Sequence, residues 1–339
     1  MKEVSVMGID LAKRIFQVHG VDANGHVVVR KKIGRNQLLR FIAQTPPCLI
    51  GMEACSGSHF WSRQFQKFGH DVRSISPQFV KPYVKTNKND ANDAEAICEA
   101  VQRPNMRFVP VKTIEQQDIQ AAHRIRQRLV RQRTALCNEI RGLLNEYGVI
   151  VAQGVKTLKR ELPGILENEG NELTILFKKM LWELYRELCD LDQKVDMSDR
   201  RIKDIFNRHE VCSRLAEVEG VGPLTATALV ASVGDAKVFK NGRQMAAWIG
   251  LVPRQYSSGG KTRLGGISKR GDIYLRTILI HGARAAILRA GNREDKKARW
   301  IMEKVRTRGK NKAAVALANK NVRVLWHIMA RGETYRKVA

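Results

Sequence analysis

The chain has 339 residues, 43% of them hydrophobic, enough to bury the cores of two or three domains, which excludes wholesale disorder. Lys and Arg number 60 against 33 Asp and Glu, a formal charge of +27, and a field of that sign attracts phosphates through counterion release. Cys48, Cys55, Cys98, Cys137, Cys189 and Cys212 form no Cys-x-x-Cys pair and no Cys/His cluster at zinc spacing, which excludes a zinc finger and argues against a disulfide framework.

The first hundred residues read as α/β. Residues 4–9 form a buried strand that ends at Asp10, and 15–21 and 26–32 are two more strands. The turn between them, Asp22-Ala23-Asn24-Gly25, carries the Asn-Gly pair of a hairpin. A helix over 36–43 precedes a short apolar strand over 48–52 that ends at Glu53. Another helix spans 59–68, a fifth strand 71–75, and a helix 90–101. A meander followed by alternating helices and parallel strands is the order of an RNase H-like fold.

From 114 to 207 the strand signal disappears. Ile125, Leu129, Leu136, Ile140 and Leu143 recur at helical spacing, as do Leu173, Phe177, Met180, Leu184, Leu188, Leu191, Val195, Ile202 and Ile205. Pro163-Gly164 breaks the two runs. The pattern fits a coiled coil, antiparallel or between chains, and equally an ordinary helical domain. Arg124, Arg126, Arg128, Arg131 and Arg133 crowd the first helix with no carboxylate nearby in sequence, which favours phosphate contact over a merely solvated face. From 211 onward the chain reads as helical with two glycine-rich interruptions. Its longest apolar stretch, 277–288, contains His281 and Arg284 and is too short to span a membrane. With no signal-peptide pattern at the start, a soluble cytoplasmic protein with no membrane partner is expected.

Four acids stand out: Asp10 and Glu53 each close an apolar strand, and Asp90 and Asp93 lie three apart on one helical face. In an RNase H-like sheet those two strands are neighbours and the helix packs beside them, so the four carboxylates can converge. Together they would repel one another unless a divalent cation, Mg²⁺ or Mn²⁺, sat between them. Such a site polarises a scissile phosphate. Each acid taken singly is equally a turn residue.

Two further constellations involve glycine. Val218-Glu219-Gly220-Val221-Gly222-Pro223 has the apolar-Gly-apolar-Gly form of a helix-hairpin-helix, in which Gly220 and Gly222 let backbone N–H groups approach a phosphate. A plain helix–helix turn is the alternative. Tyr256-Ser257-Ser258-Gly259-Gly260-Lys261-Thr262-Arg263, followed by Lys269 and Arg270, reads as a flexible basic loop suited to phosphate capture. A serine there becomes a nucleophile only if Lys261, Arg263 or a metal activates it.

At these residues the sequence resembles bacterial insertion-sequence transposases that join a RuvC-like DEDD domain to a carboxy-terminal serine-bearing transposase domain. The resemblance runs through Gly8-Ile9-Asp10-Leu11-Ala12-Lys13, Met52-Glu53-Ala54, Asn87-Lys88-Asn89-Asp90-Ala91-Asn92-Asp93-Ala94 and Glu219-Gly220-Val221-Gly222. It continues through Ala247-Trp248-Ile249-Gly250-Leu251-Val252-Pro253-Arg254-Gln255-Tyr256-Ser257-Ser258-Gly259 and Ile267-Ser268-Lys269-Arg270-Gly271. It implies that Asp10, Glu53, Asp90 and Asp93 are a metal-binding tetrad and that a serine after the tyrosine attacks DNA. Ser258 fits that register best, with Ser257 one position away. It also implies a structured guide RNA from the mobile element that pairs with donor and target DNA, and a dimeric or tetrameric assembly. The expected organisation is a RuvC-like nuclease domain over 1–110, a helical coiled-coil region over 111–210 and a helical transposase domain over 211–339. Two rivals remain: a junction-resolving nuclease that uses water as nucleophile, and a non-catalytic nucleic-acid-binding protein.

Overall fold

The computed structural model describes residues 3–85 and 89–336. Contacts divide the chain into two compact units, 1–114 and 115–339.

In the first unit, β1 (Val6–Asp10), β2 (Ile15–Val21) and β3 (Val27–Gly34) form an antiparallel meander. The chain continues through α1 (Arg35–Ala43), β4 (Leu49–Glu53), α2 (Ser58–Gln66) and β5 (Asp71–Ile75), with β4 parallel to both β1 and β5. Then come a short helix α3 (Pro77–Val80), α4 (Asp90–Val101) and a two-residue strand β6 (Phe108–Val109), antiparallel to β5. The sheet order is β3-β2-β1-β4-β5-β6. The expected α/β start and its first five strands are thus present, while α3 and β6 are additions too short to leave a periodic trace.

Alternation along the strands gives the sheet two faces. Met7, Ile9, Phe16, Val18, Ile50 and Met52 pack against Leu38, Ile42, Trp61 and Phe65 of α1 and α2. Each such aliphatic side chain contributes about 1.5–3 kcal/mol when fully buried. The other face takes α4, and there the strands carry glycine. Gly8 of β1 and Gly51 of β4 are register partners. A Cβ on Gly8 would collide with the Ala94 carbonyl oxygen and lie 2.5 Å from the Cys98 amide nitrogen. One on Gly51 would lie 2.8 Å from Val101 Cβ. The glycine pair is therefore a groove in which α4 rests almost backbone to backbone.

Among the described residues, the second unit is helical except for one β-hairpin. Two long helices, α5 (Ile114–Asn145) and α7 (Ile175–Arg208), run antiparallel within the chain. Arg126 is ion-paired with Asp199, and Arg133 with Asp192 at 2.6 Å, so a step of seven forward on α5 is matched by seven back on α7. Leu129, Leu136, Ile140 and Leu144 pack with Phe177, Leu181, Leu188 and Val195 along the seam. Between them lies α6 (Val155–Glu167), which runs through Pro163. The proline does not break the helical runs where the sequence suggested. The breaks fall at 146–154 and 168–174 instead.

The rest comprises α8 (Glu210–Ala216), α9 (Pro223–Val233), α10 (Gly242–Ile249), β7 (Pro253–Ser258), β8 (Lys261–Ile267), α11 (Ile273–Ala290), α12 (Lys296–Arg308) and α13 (Lys310–Arg331). A buried polar joint ties α5 to α9 and α11. His123 Nε2 lies 2.9 Å from Thr227 Oγ1, and its Nδ1 lies 2.9 Å from the Tyr274 hydroxyl. Thr227 gives its only hydroxyl hydrogen to the Pro223 carbonyl, so the imidazole donates from Nε2 and accepts at Nδ1. Burial pushes the His123 pKa down to about 4, so the ring is neutral.

Candidate active site

Asp10 stands at the end of β1, and α4 presents Asp90 and Asp93 from its first turn. Oxygens of these three carboxylates lie within 4.8 Å of one another. The groove at Gly8 and Gly51 explains the convergence, because α4 lies with Ala94 directly over Gly8 and its start reaches the end of β1. Asn89 caps that start by accepting from the Asn92 amide at 2.8 Å. Glu53 closes the adjoining strand, where Ile9 is in register with Met52, which puts Glu53 beside Asp10 at the carboxyl ends of the two central strands. It is not one of the three converging acids. The Cys55 thiol is pushed up by burial and then by the charges of both Glu53 and Asp10, an independent sign that the two carboxylates share a neighbourhood. Asn87 and Lys88 of the same sequence motif lie outside the described residues.

The remaining acids of α4 serve as a control. Glu95 is paired with Arg30 at 2.8 Å, and Glu99 with Lys85 at 2.9 Å and Arg103 at 2.6 Å. These ion pairs hold Glu99 below the ordinary carboxylate range, with Lys85 the largest contributor. Among the described residues no Lys or Arg is in ion-pair contact with Asp90 or Asp93. Half the helix's acids are neutralised by protein cations; the other half are gathered around Asp10. An all-oxygen donor set of this kind suits a hard divalent cation.

The segment read as a flexible loop is an ordered two-stranded ribbon. Ser258 pairs with Lys261, Ser257 with Thr262 and Tyr256 with Arg263 across β7 and β8. Gly259 and Gly260, at φ +54° and +75°, make the two-residue turn. Directly opposed side chains share a face, so Tyr256, Ser258, Lys261 and Arg263 lie on one side of the ribbon. Ser257 lies on the other, accepting from Gln255 Nε2 at 2.9 Å. Residues 253–266 are all exposed, whereas the base is pinned. Buried Arg276 donates to the carbonyls of Ile249 and Arg270, each at 3.0 Å, and Lys269 N donates to the Gly250 carbonyl at 3.1 Å. Lys269 and Arg270 are exposed at that base, with Lys269 in the left-handed region at φ +55°.

The other candidate residues divide. Arg124, Arg128 and Arg131 are exposed on α5, Arg128 bonded to Gln132 at 2.7 Å. Arg126 and Arg133 instead point into the seam, paired with Asp199 and Asp192. The premise that no carboxylate is near them fails, because the partners come from a helix some sixty or seventy residues on. Gly220, at φ +82°, is pressed against α11, where a Cβ would sit 2.5 Å from the Gly282 carbonyl oxygen. Gly222 is different: it precedes the first turn of α9 with open space beside it.

Sequence reasoning passed over Arg276 and Gln17. Nothing in the spacing marks Arg276 as the pin of the ribbon, since its acceptors are backbone carbonyls. Gln17 is the cross-strand partner of Asp10, and only the register reveals it.

Two family models match the chain. One, described as a transposase of the DEDD IS110 type, covers residues 7–149, and the other, "Transposase IS116/IS110/IS902 family", covers 212–299. The "Probable family 20 transposase" of Pseudomonas aeruginosa is 52% identical over 98% of this chain and 99% of its own length. The "Transposase for insertion sequence element IS1111A" of Coxiella burnetii is 49% identical over 99% of this chain and 92% of its own. The "Transposase for insertion sequence element IS1328" of Yersinia enterocolitica is 40% identical over 99% and 100% respectively. With the acids gathered at one end of α4 and this similarity along nearly its whole length, the chain belongs to the IS110/IS116 family of transposases, enzymes that cut and rejoin DNA.

Proposed function

We propose that the protein moves an insertion sequence by cleaving and exchanging DNA strands through a phosphoserine intermediate, directed by a structured RNA of the element. The observation that carries the reading is the meeting of Asp10, at the end of β1, with Asp90 and Asp93 within 4.8 Å, at the start of α4, whose other acids are ion-paired. These three, with Glu53, would hold Mg²⁺ or Mn²⁺, which when bound supplies charge stabilisation at the scissile phosphate. The strand order supports an RNase H-like fold for the nuclease domain over 1–110, and the heptad-related ion pairs support a coiled-coil region over 111–210. The carboxy-terminal domain over 211–339 carries the serine ribbon and, at Gly222, a helix-hairpin-helix contact for the DNA backbone.

Ser258 is the nucleophile. It shares the cationic face with Lys261 and Arg263, which lower the cost of forming an alkoxide and attract the phosphate, whereas Ser257 is turned away. Its hydroxyl gives up its proton as Oγ bonds to phosphorus and the P–O3′ bond breaks, and the leaving oxygen takes up a proton in exchange to become a 3′-hydroxyl. That hydroxyl attacks the phosphoserine on the partner strand and releases the serine. The net charge of +27 attracts phosphates of DNA and RNA alike, and the RNA partner is inferred from the family resemblance. The family's pattern further suggests a dimer or tetramer working in the bacterial cytoplasm at the nucleoid.

Two variants test this. Asp93→Asn should lower strand cleavage at least about a thousandfold while retaining nucleic-acid binding. Ser258→Ala should abolish the covalent protein–DNA band on denaturing gels. If Ser258→Ala keeps cutting and Ser257→Ala does too, water is the nucleophile and the protein is a junction-type nuclease. Cleavage at no Mg²⁺ or Mn²⁺ concentration would leave a binding protein. Sequencing RNA that copurifies with the protein tests guidance, which predicts one defined species from beside the gene.

A further inference from the structure

On the α4 face of the sheet, strand register lines up a second set of side chains beside the acids. Asp10 is paired with Gln17 across β1 and β2, and Gln17 with Lys32 across β2 and β3. Partners that face each other share a side of the sheet, so Asp10, Gln17 and Lys32 form one transverse row, continued on the other side of β1 by Glu53. The next row inward, Gly8, His19 and Arg30, is covered by α4, with Arg30 bonded to Glu95. The Asp10 row is where α4 begins, so it is the first row the helix leaves open beyond its aspartates.

The two new members differ in a telling way. Gln17 is 8% exposed as a residue and its side chain makes no hydrogen bond to another described residue, yet its amide is not among the polar atoms sealed from solvent without a partner, so it opens to solvent. An amide that opens to solvent from an otherwise buried residue, one strand from a cluster of acids, can exchange water for a phosphate oxygen at little cost. Lys32 is exposed on the edge strand, roughly 10 Å from Asp10 at the usual strand spacing. Across the sheet the row therefore passes from carboxylates to a neutral donor to a cation. That sequence suits a polyanion entering from the edge towards a cation held by the acids. We propose that Gln17 and Lys32 form a track for the sugar–phosphate backbone of the strand being cut. Gln17 donates to the phosphate at the acid cluster, and Lys32 pairs with a neighbouring phosphate towards the sheet edge. The inference rests on the metal reading of the acids and adds to it the path of the strand.

Neighbouring Lys31 supplies the control. It carries the same charge one residue away, but on the opposite face of β3, where its ammonium lies 5.7 Å from the Phe41 ring centre. Full-length protein is titrated with a labelled single-stranded DNA 20-mer in Ca²⁺ over a range of salt, and cleavage is followed separately in Mn²⁺. Lys32→Ala should weaken binding several-fold and make the salt slope shallower by about 0.7, one phosphate contact on a single strand. Lys31→Ala should change neither. Gln17→Leu, close in volume, should slow cleavage at least about tenfold, with Mn²⁺ affinity and salt slope unchanged. Equal losses for Lys31→Ala and Lys32→Ala, or cleavage by Gln17→Leu at the wild-type rate, would overturn the track. Should Asp93→Asn, run alongside, still bind Mn²⁺ and cut normally, the metal reading has failed and the track falls with it.

Discussion

Asp10, Asp90 and Asp93 are held by backbone packed on backbone, whereas Ser258 stands on a ribbon exposed from residue 253 to residue 266. One group is fixed by the core of its unit. The other has no core of its own and owes its position to a clamp at the base, where Arg276 reaches the carbonyls of Ile249 and Arg270. A cluster of like charges requires rigid placement, because the acids must be kept together against their repulsion. A nucleophile that attacks and then exchanges its strand requires access. The same substitution chemistry should therefore have very different effects in the two places.

The largest effect is expected at Gly8. Gly8→Ala drives a methyl group into the Ala94 carbonyl oxygen, a backbone atom that cannot swing aside, so α4 must lift off the sheet. We expect a loss of about 3 kcal/mol in stability and of all detectable cleavage. Gly51→Ala brings its methyl within 2.8 Å of Val101 Cβ, which moves only with the α4 backbone, but meets no backbone atom of the helix directly, and should cost about 2 kcal/mol with cleavage reduced but present. Thermal unfolding beside a cleavage assay measures both. Equal melting temperatures for Gly8→Ala and wild type would mean that the groove does not hold the helix.

That contrast also governs how much can be read from the sequence. Apolar strands ending in Asp10 and Glu53, and an Asp-x-x-Asp pair opening a helix, are local patterns, so the candidate acids are legible in the sequence, although only Asp10, Asp90 and Asp93 converge. The registers are not. Pairing of Asp10 with Gln17 and of Gly8 with Gly51 depends on contacts distant in sequence, and a shift of one residue would turn every side chain over. The ribbon reads as a loop for a different reason. Gly259-Gly260 is a hairpin signal, but both flanks are exposed and carry no apolar alternation to mark strands. On α5 the helical periodicity is clear, yet Arg126 and Arg133 look free because Asp199 and Asp192 are far away along the chain.

A middle-sized effect is expected at the clamp. Arg276→Leu removes two hydrogen bonds from a buried guanidinium to backbone carbonyls, for a cost of about 2 kcal/mol. It should depress formation of the covalent serine adduct more than tenfold while leaving Mn²⁺ binding by the acids intact. Loss of both together would show that the two regions are not independent, and the comparison would break there.

The smallest effect belongs to the tip. Gly260 adopts φ +75°, and a Cβ placed there would have nothing within 4 Å. Gly260→Ala therefore meets no neighbour and bears only the strain of its left-handed backbone, about 1 kcal/mol. Because only the base of the ribbon, at Ile267, touches the helical core and the tip does not, that cost should open the turn without moving the melting temperature. Adduct formation should fall a few-fold as Ser258 loses its register with Lys261. Gly259→Asn is the matching control, since Asn is favoured at the first position of this turn and should leave the adduct unchanged. If Gly260→Ala lowers the melting temperature as much as Arg276→Leu does, the tip is packed against something, and access does not explain its exposure. If neither tip variant changes adduct formation, turn geometry does not set the position of the serine, and the clamp alone does.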